Sequence, residues 1–132
     1  MFSCQERVYY EDTDAGGIVY HANYLKFMER CRCKWLENLG FNIQTLQQED
    51  DLLFVVRTAE LEFERPARLF DELCVNLEVL HVGKVRLLLM QKIYNKQQLL
   101  CKARIKLATL RGSSYKLAPM PPRLQSAIDV GA

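Results

Sequence analysis

YYEDTDAGGIVYHANYLKFMERCRCKWLENL, residues 9–39, is the stretch that decides the fold of this chain. Its second half, from about Asn23 to Leu39, repeats apolar residues at steps of three and four, the spacing of one helix face. Gly40 follows directly, at a position where a glycine with positive φ commonly closes a helix. The sequence therefore predicts one long, largely buried helix whose apolar positions are Tyr24, Phe27, Met28, Cys31, Trp35, Leu36 and Leu39.

A polar loop with two glycines leads into this helix. It runs from Asp12 to Gly17, holds two carboxylates, and is followed shortly by His21. The start of a helix offers N–H groups without acceptors and a partial positive charge. Gly16 and Gly17 would let the backbone bend and a ligand come close. The loop is therefore the first place to expect chemistry.

Composition restricts the class of protein. With 132 residues, 49% of them hydrophobic, and a net charge of +2, the chain fits one globular domain and gives no case for nucleic acid binding. No apolar run approaches the roughly 20 residues of a membrane span, and the N-terminus lacks the blocks of a signal peptide. Five scattered cysteines fit reduced, apolar thiols of a cytoplasmic protein, and no metal-ligand spacing is visible.

Alternating apolar residues predict strands on both sides of the helix. A short strand at 5–10 precedes the loop, and four more follow at about 53–64, 73–79, 85–94 and 101–107. The fourth strand is apolar on both faces and should be central. A basic row at 102, 104 and 106 is typical of the solvated face of a strand, and it could also oppose the acidic row at 60, 62 and 64 on a neighbouring strand. Residues 42–51 suggest a short helical turn, and the tail from about 112 should be mostly irregular.

These elements predict an α+β fold in a single domain, 1–132. Short turns join antiparallel strands, and a sheet with one apolar face needs a cover. The long helix is the only candidate for that cover, so we expect a five-stranded antiparallel sheet wrapped around one central helix. One helix cannot shield five strands fully, which also predicts self-association.

Asp14 is the first candidate for catalysis. A carboxylate can attack an acyl carbon as a nucleophile or draw a proton from water as a general base. Backbone N–H groups around Val19 to Ala22 are placed to stabilise the resulting oxyanion. His21 could hydrogen-bond the substrate, orient Asp14 or shuttle a proton. The structural alternatives are that Asp12 or Asp14 only caps or turns the loop and that His21 only fills a hydrogen-bonding niche.

Basic residues near one predicted turn form a second candidate site. His81, Lys84 and Arg86 lie between two strands, as ordinary solvated charges or as phosphate contacts. Arg57 has the strand parity of Leu61, where a charge needs a partner. The residues predicted to bind substrate combine the loop, its flanking tyrosines and these basic residues: Gly16, Gly17, Val19, Tyr20, Tyr24, Arg57, His81, Lys84 and Arg86.

The run VYYEDTDAGGIVYHANYLKFMER, residues 8–30, resembles the N-terminal signature of hotdog-fold acyl-CoA thioesterases of the 4-hydroxybenzoyl-CoA thioesterase class, YbgC-like branch. FVVR at 54–57 and ERPARLFDEL at 64–73 are similar to the second strand and connector of that family. The resemblance covers roughly residues 7–111. It implies a hotdog fold, meaning a sheet wrapped around one helix, and a dimer whose sheets join, commonly paired into tetramers.

The same resemblance implies roles for residues. The family's catalytic Asp falls on Asp14, its loop His on His21, and the carbonyl-polarising N–H on His21 or its neighbour. The implied activity is acyl-CoA thioester hydrolysis, with coenzyme A as part of the substrate and no separate cofactor. CoA phosphates would lie near the basic turn at a subunit interface. Some relatives are associated with the bacterial cell envelope and lipid synthesis, which adds acyl carrier protein to the expected partners.

Two other functions fit the same residues. One is an acyl-thioester hydratase or dehydratase of the same fold, which would act at the second and third carbons of the acyl chain. The other is a non-catalytic acyl-CoA binding module. Short aliphatic, long aliphatic and aromatic thioesters all occur in the family, so the sequence leaves the acyl group open.

Overall fold

Across residues 1–130 the fold is built from five strands and three helices. A computed structural model describes residues 1–130; residues 131 and 132, the end of the predicted domain, lie outside the described part. In chain order the elements are β1 (Phe2–Arg7), α1 (Asn23–Asn38), α2 (Ile43–Asp50), β2 (Leu52–Phe63), β3 (Glu72–Val82), β4 (Arg86–Asn95), β5 (Gln98–Arg111) and α3 (Pro122–Ala127).

The strands form one antiparallel sheet in the order β1-β3-β4-β5-β2. The predicted architecture, a five-stranded antiparallel sheet with one long helix packed on it, is confirmed. β4 occupies the middle of the sheet, as its apolar residues on both faces predicted. Within residues 1–130, no helix is long and apolar enough to cross a membrane.

The core lies between α1 and the face of the sheet that α1 covers, called the inner face below. Phe27 and Met28 on α1 are fully buried, and so are Leu77, Leu89 and Ile105 on three neighbouring strands. Each fully buried apolar side chain stabilises the fold by roughly 1.5–3 kcal/mol. The apolar stripe read from the sequence is therefore what holds the helix against the sheet.

Glycine closes α1 as predicted. Gly40 has a φ of +91°, its N–H donates to the Glu37 carbonyl at 3.0 Å, and the Phe41 N–H donates to the Leu36 carbonyl at 2.9 Å. These bonds satisfy carbonyls that the end of a helix leaves free.

β1 lies three residues nearer the N-terminus than its sequence pattern suggested. It ends at Arg7, whereas the prediction extended it to Tyr10. The Asp12 carboxylate accepts the Tyr9 N–H at 2.9 Å, and a single 3-10 turn follows at Tyr10–Asp12. A side chain that bonds nearby backbone competes with strand pairing, which explains the early end. The tail, expected to be mostly irregular, contains α3.

β2 is an edge strand with a bulge. Val56 lies opposite Leu107, but the next paired residue is Thr58, opposite Lys106. Arg57 is therefore the extra residue of a bulge, and the parity that placed it with Leu61 does not hold. The predicted pairing of acidic and basic rows is confirmed after the bulge, where the Lys102 Nζ lies 3.3 Å from Glu62 Oε2.

Candidate functional site

The loop between β1 and α1 is held by the connector between β2 and β3. The Val19 N–H donates to the Ala67 carbonyl at 2.9 Å, and the Leu69 N–H donates to the Gly17 carbonyl at 3.3 Å. An isolated bridge between Ile18 and Arg68 lies between these bonds. Two segments distant in sequence thus fix each other beside the start of α1.

Asp12 is the structural carboxylate of the loop. Its side chain is 7% exposed and accepts the Tyr9 N–H. Its carbonyl accepts the Tyr20 N–H at 3.0 Å and the Asn23 side-chain amide at 2.9 Å. The capping role that the sequence left open for either aspartate is therefore filled by Asp12.

Asp14 lies exposed at the tip of a glycine turn. Its Oδ1 accepts the Gly16 N–H at 2.8 Å, and Gly17 has a φ of +79°, which favours glycine. A Cβ on Gly16 would lie 3.2 Å from Oδ1, so a side chain there would crowd the carboxylate. No group in residues 1–130 hydrogen-bonds Asp14 Oδ2, which leaves one carboxylate oxygen available to a reactant.

The backbone N–H groups before α1 divide into used and open donors. Those of Val19 and Tyr20 are bound by the Ala67 and Asp12 carbonyls at 2.9 and 3.0 Å. Those of His21 and Ala22 have no acceptor in the described part of the chain. The sequence predicted donors over four residues, and the structure leaves the last two of them open.

His21 and Tyr20 are both exposed beside the loop. Their ring centroids lie 4.5 Å apart. Between residues 1 and 130, no hydrogen bond joins the His21 side chain to Asp14, so a role for His21 in orienting Asp14 stays a prediction.

Tyr24 is buried and ties the start of α1 to the connector. Its hydroxyl accepts the Ala67 N–H at 3.0 Å, and burial is the main cause that raises the pKa of Tyr24. Its ring meets the Phe63 ring edge-on, with centroids 5.3 Å apart. The tyrosine is thus a wall of the core behind the loop, and direct contact with substrate stays a prediction.

Tyr24→Phe should lower the free energy of unfolding by about 1–3 kcal/mol, because it leaves the buried Ala67 N–H without its acceptor. Urea unfolding followed by circular dichroism measures the change. Tyr20→Phe is the matched control, since the Tyr20 side chain is 49% exposed and should change stability by less than about 0.5 kcal/mol. Equal stability of the two variants would contradict the structural role of the Tyr24 hydroxyl.

A separate cavity of about 520 Å³ gathers basic side chains from β2, β4, β5 and the end of β3. Its lining includes Arg57, His81, Arg86 and Lys106, but not Lys84. Within residues 1–130, no carboxylate lies within 4 Å of these three arginine and lysine side chains. A concave surface lined by positively charged side chains attracts anions.

Backbone irregularities explain how this cavity forms. The bulge at Arg57 and a second register shift between Val79 and His81 turn two basic side chains toward it. Lys106 is a member that the sequence reading assigned only to the basic row of β5. Lys106 lies opposite Thr58, next to the bulge, and this strand register places it in the cavity lining.

Comparison with known proteins gives one consistent family. Residues 8–128 match the model of the thioesterase-like superfamily. The chain is 42% identical over 126 residues to the acyl-CoA thioesterase YbgC of Haemophilus influenzae, covering 96% of this chain and 93% of that one.

Solved structures agree with this match. A probable thioesterase from Bartonella henselae superposes with a TM-score of 0.86 at 34% identity, covering 90% of this chain and 98% of that one. A 1,4-dihydroxy-2-naphthoyl-CoA thioesterase from Synechocystis gives a TM-score of 0.87 at 27% identity, covering 96% and 93%. The predicted resemblance to the hotdog thioesterases is confirmed. The chain belongs to the thioesterase-like superfamily.

Proposed function

We propose that this protein is an acyl-CoA thioesterase, which hydrolyses acyl-CoA to the free acid and coenzyme A. One observation carries the proposal: the loop that presents a carboxylate with a free oxygen on a glycine turn leads directly into a helix start with two open N–H donors. The name of the Haemophilus relative, an acyl-CoA thioesterase, supports the same activity.

In the proposed mechanism the thioester carbonyl docks at the start of α1. The His21 and Ala22 N–H groups donate to its oxygen and stabilise the oxyanion that forms. Asp14 either attacks the carbonyl carbon, forming an anhydride that water then hydrolyses, or takes a proton from the water that attacks. In both routes the C–S bond breaks, and coenzyme A leaves as a thiolate that takes up a proton.

Coenzyme A phosphates are proposed to bind in the basic cavity. Arg57 and Arg86 can each hold a phosphate through paired N–H donors, and Lys106 adds a point charge. Contacts from Lys84 and from the loop residues Gly16, Gly17, Val19 and Tyr20 stay predictions.

A second copy of the chain is the proposed cover for β2. The strand lies at the end of the sheet, and its inner face leaves Val56 49% and Phe63 51% exposed. An exposed, unpaired edge that carries apolar side chains invites pairing with another strand. Two β2 strands pairing antiparallel would join two sheets into one. Pairing of such dimers into tetramers stays a prediction.

Leu61→Lys should convert the dimer to a monomer, because it places a charge on the face that the second copy covers. Light scattering after size exclusion should give twice 15.4 kDa for the wild type and a single chain for the variant. Leu117→Lys, at a side chain 52% exposed in the tail, is the control and should stay dimeric. A wild-type monomer would contradict the proposed interface.

Thiol release over a panel of acyl-CoAs tests the function itself. The proposal expects stoichiometric free thiol and free acid from saturated acyl-CoAs. Hydration of an enoyl-CoA without thiol release would indicate the hydratase alternative. Binding across the panel with no turnover would indicate a non-catalytic module.

Acyl carrier protein is a further proposed substrate donor. It carries the same pantetheine thioester without the CoA nucleotide. Hydrolysis of this acyl thioester would therefore need Asp14 but not the basic cavity. A cytoplasmic location and a place in lipid metabolism stay predictions.

A further inference from the structure

Arg32 is a half-buried cation that is partly desolvated. It lies on α1, and its Nη1 donates to Gln91 Oε1 at 2.8 Å. Within residues 1–130, no carboxylate lies within 4 Å of its guanidinium. Desolvation is the main cause that lowers its pKa, and the nearby Glu29 carboxylate acts in the opposite direction. In the described residues only one guanidinium nitrogen has a hydrogen-bond partner, so the other N–H donors of Arg32 are left for a ligand.

Gln91 fixes the direction of the arginine. It is fully buried, and its Nε2 donates to the Met28 carbonyl at 3.0 Å, which leaves its oxygen facing Arg32. No fully buried side-chain nitrogen in the described residues lacks a partner. The guanidinium N–H groups that Gln91 does not bind are therefore not sealed in the core. They face a cavity that Arg32 lines.

That cavity has a volume of about 220 Å³ and is mostly apolar. Trp35, Phe54, Val56 and Leu107 line it together with Arg32. Glu29, one helical turn before Arg32, borders the cavity and is exposed. An apolar chamber with a guanidinium in its wall suits a hydrocarbon chain that ends in a carboxylate, and the exposed Glu29 at its border can turn toward solvent.

The inner face of β2 runs from the cavity toward the start of α1. Val56, Ala59, Leu61 and Phe63 lie opposite buried inner-face residues of β5, and Phe63 meets Tyr24 at the start of α1. In the proposed dimer the two β2 strands run antiparallel, so the first half of one strand lies opposite the second half of the other. The apolar inner face of the paired strands therefore forms a track that runs from the α1 start of one copy toward the Arg32 cavity of the other.

We propose that Arg32 binds a carboxylate at the far end of the acyl group, so that the enzyme prefers ω-carboxyacyl thioesters, the monothioesters of dicarboxylic acids. This inference rests on the proposed thioesterase function and names its substrate class. The guanidinium offers paired N–H donors to both carboxylate oxygens, and the track holds the methylene chain.

Matched thioesters test the preference on the wild-type protein. Succinyl-, adipoyl-, suberoyl- and sebacoyl-CoA are compared with butyryl-, hexanoyl-, octanoyl- and decanoyl-CoA by thiol release. At the best chain length, kcat/KM should be about 10- to 100-fold higher for the carboxylate-ended member, the range of a charge-assisted hydrogen bond. Higher kcat/KM for the methyl-ended member at every length would overturn the proposal.

Arg32→Gln separates binding from structure. It should remove the preference by raising KM for carboxylate-ended substrates, with KM for methyl-ended ones within about two-fold. Arg30→Gln is the matched control, because Arg30 pairs with Glu6 on the surface at 3.0 Å, and it should keep the preference. An equal loss on both substrate series would assign Arg32 a structural role and contradict the inference.

Calorimetry with Asp14→Asn gives a readout that needs no turnover. Adipoyl-CoA should bind about 10-fold or more tightly than hexanoyl-CoA, and equal affinities would overturn the carboxylate site. Absence of hydrolysis from every thioester would instead defeat the proposed thioesterase function. The two failures are thus distinguishable.

Discussion

Replacing Asp14 by Asn should lower the rate of thiol release by about 10²- to 10⁴-fold while leaving the fold unchanged. The amide oxygen of Asn can still accept the Gly16 N–H, which the carboxylate accepts at 2.8 Å. The turn is therefore kept, and only the negative charge that attacks carbon or takes a proton is lost. Thiol release under substrate saturation measures kcat, and thermal unfolding checks the fold.

This design separates the two roles of the residue. Asp14→Ala removes both the charge and the turn bond, so it should lose activity and also about 0.5–1.5 kcal/mol of stability. Asp129→Asn, an exposed carboxylate in the tail, is the control and should keep full activity. Near-normal turnover by Asp14→Asn would show that the carboxylate only shapes the loop and would end the proposed mechanism.

The sequence was informative where one local pattern determines the structure. The apolar spacing of α1 and the glycine at position 40 predicted the helix and its end, because both depend on residues within one or two turns. Complementary charges on two alternating strands suggested that the acidic row of β2 faces the basic row of β5, which it does at Glu60 and Glu62. These features are decided locally or by the simple period of a strand, so they can be read without coordinates.

Features that depend on contacts distant in sequence were missed or misplaced. Counting alternate residues placed Arg57 on the same face of β2 as Leu61. A bulge shifts the alternation by one residue, and no residue type in the sequence marks the position of the bulge. The end of β1 was misplaced for a local reason instead, because the Asp12 carboxylate accepts the Tyr9 N–H three residues away. Arg32 drew no attention within a helix full of charges, because its desolvation depends on Gln91, which is 59 residues away along the chain.

Arg57→Ala combined with Arg86→Ala should raise KM for acyl-CoA by about 10- to 100-fold and leave kcat within about two-fold. Both side chains line the 520 Å³ basic cavity and take no part in the proposed chemical step. Their loss should therefore weaken binding of the nucleotide phosphates only. This rise in KM corresponds to the loss of one charge-assisted hydrogen bond from each guanidinium, each weakened because solvent screens charges at an exposed site. Steady-state kinetics at low and high salt measure the effect.

A truncated substrate makes this prediction specific. An acyl-pantetheine carries the thioester and the arm but lacks the nucleotide phosphates, so the double variant should hydrolyse it as fast as the wild type. Added salt should raise KM for acyl-CoA in the wild type more than in the variant, because salt screens exposed charges. Arg104→Ala, on β5 opposite Glu60, is the control and should change neither substrate.

The same comparison decides how a carrier protein would be used. If acyl carrier protein delivers its thioester to Asp14, the double variant should keep its activity on that substrate while losing affinity for acyl-CoA. Equal losses on acyl-CoA and acyl-pantetheine would mean that the cavity supports the active site rather than the nucleotide. An unchanged KM for acyl-CoA would place the phosphates on another surface and leave the basic cavity without its proposed ligand.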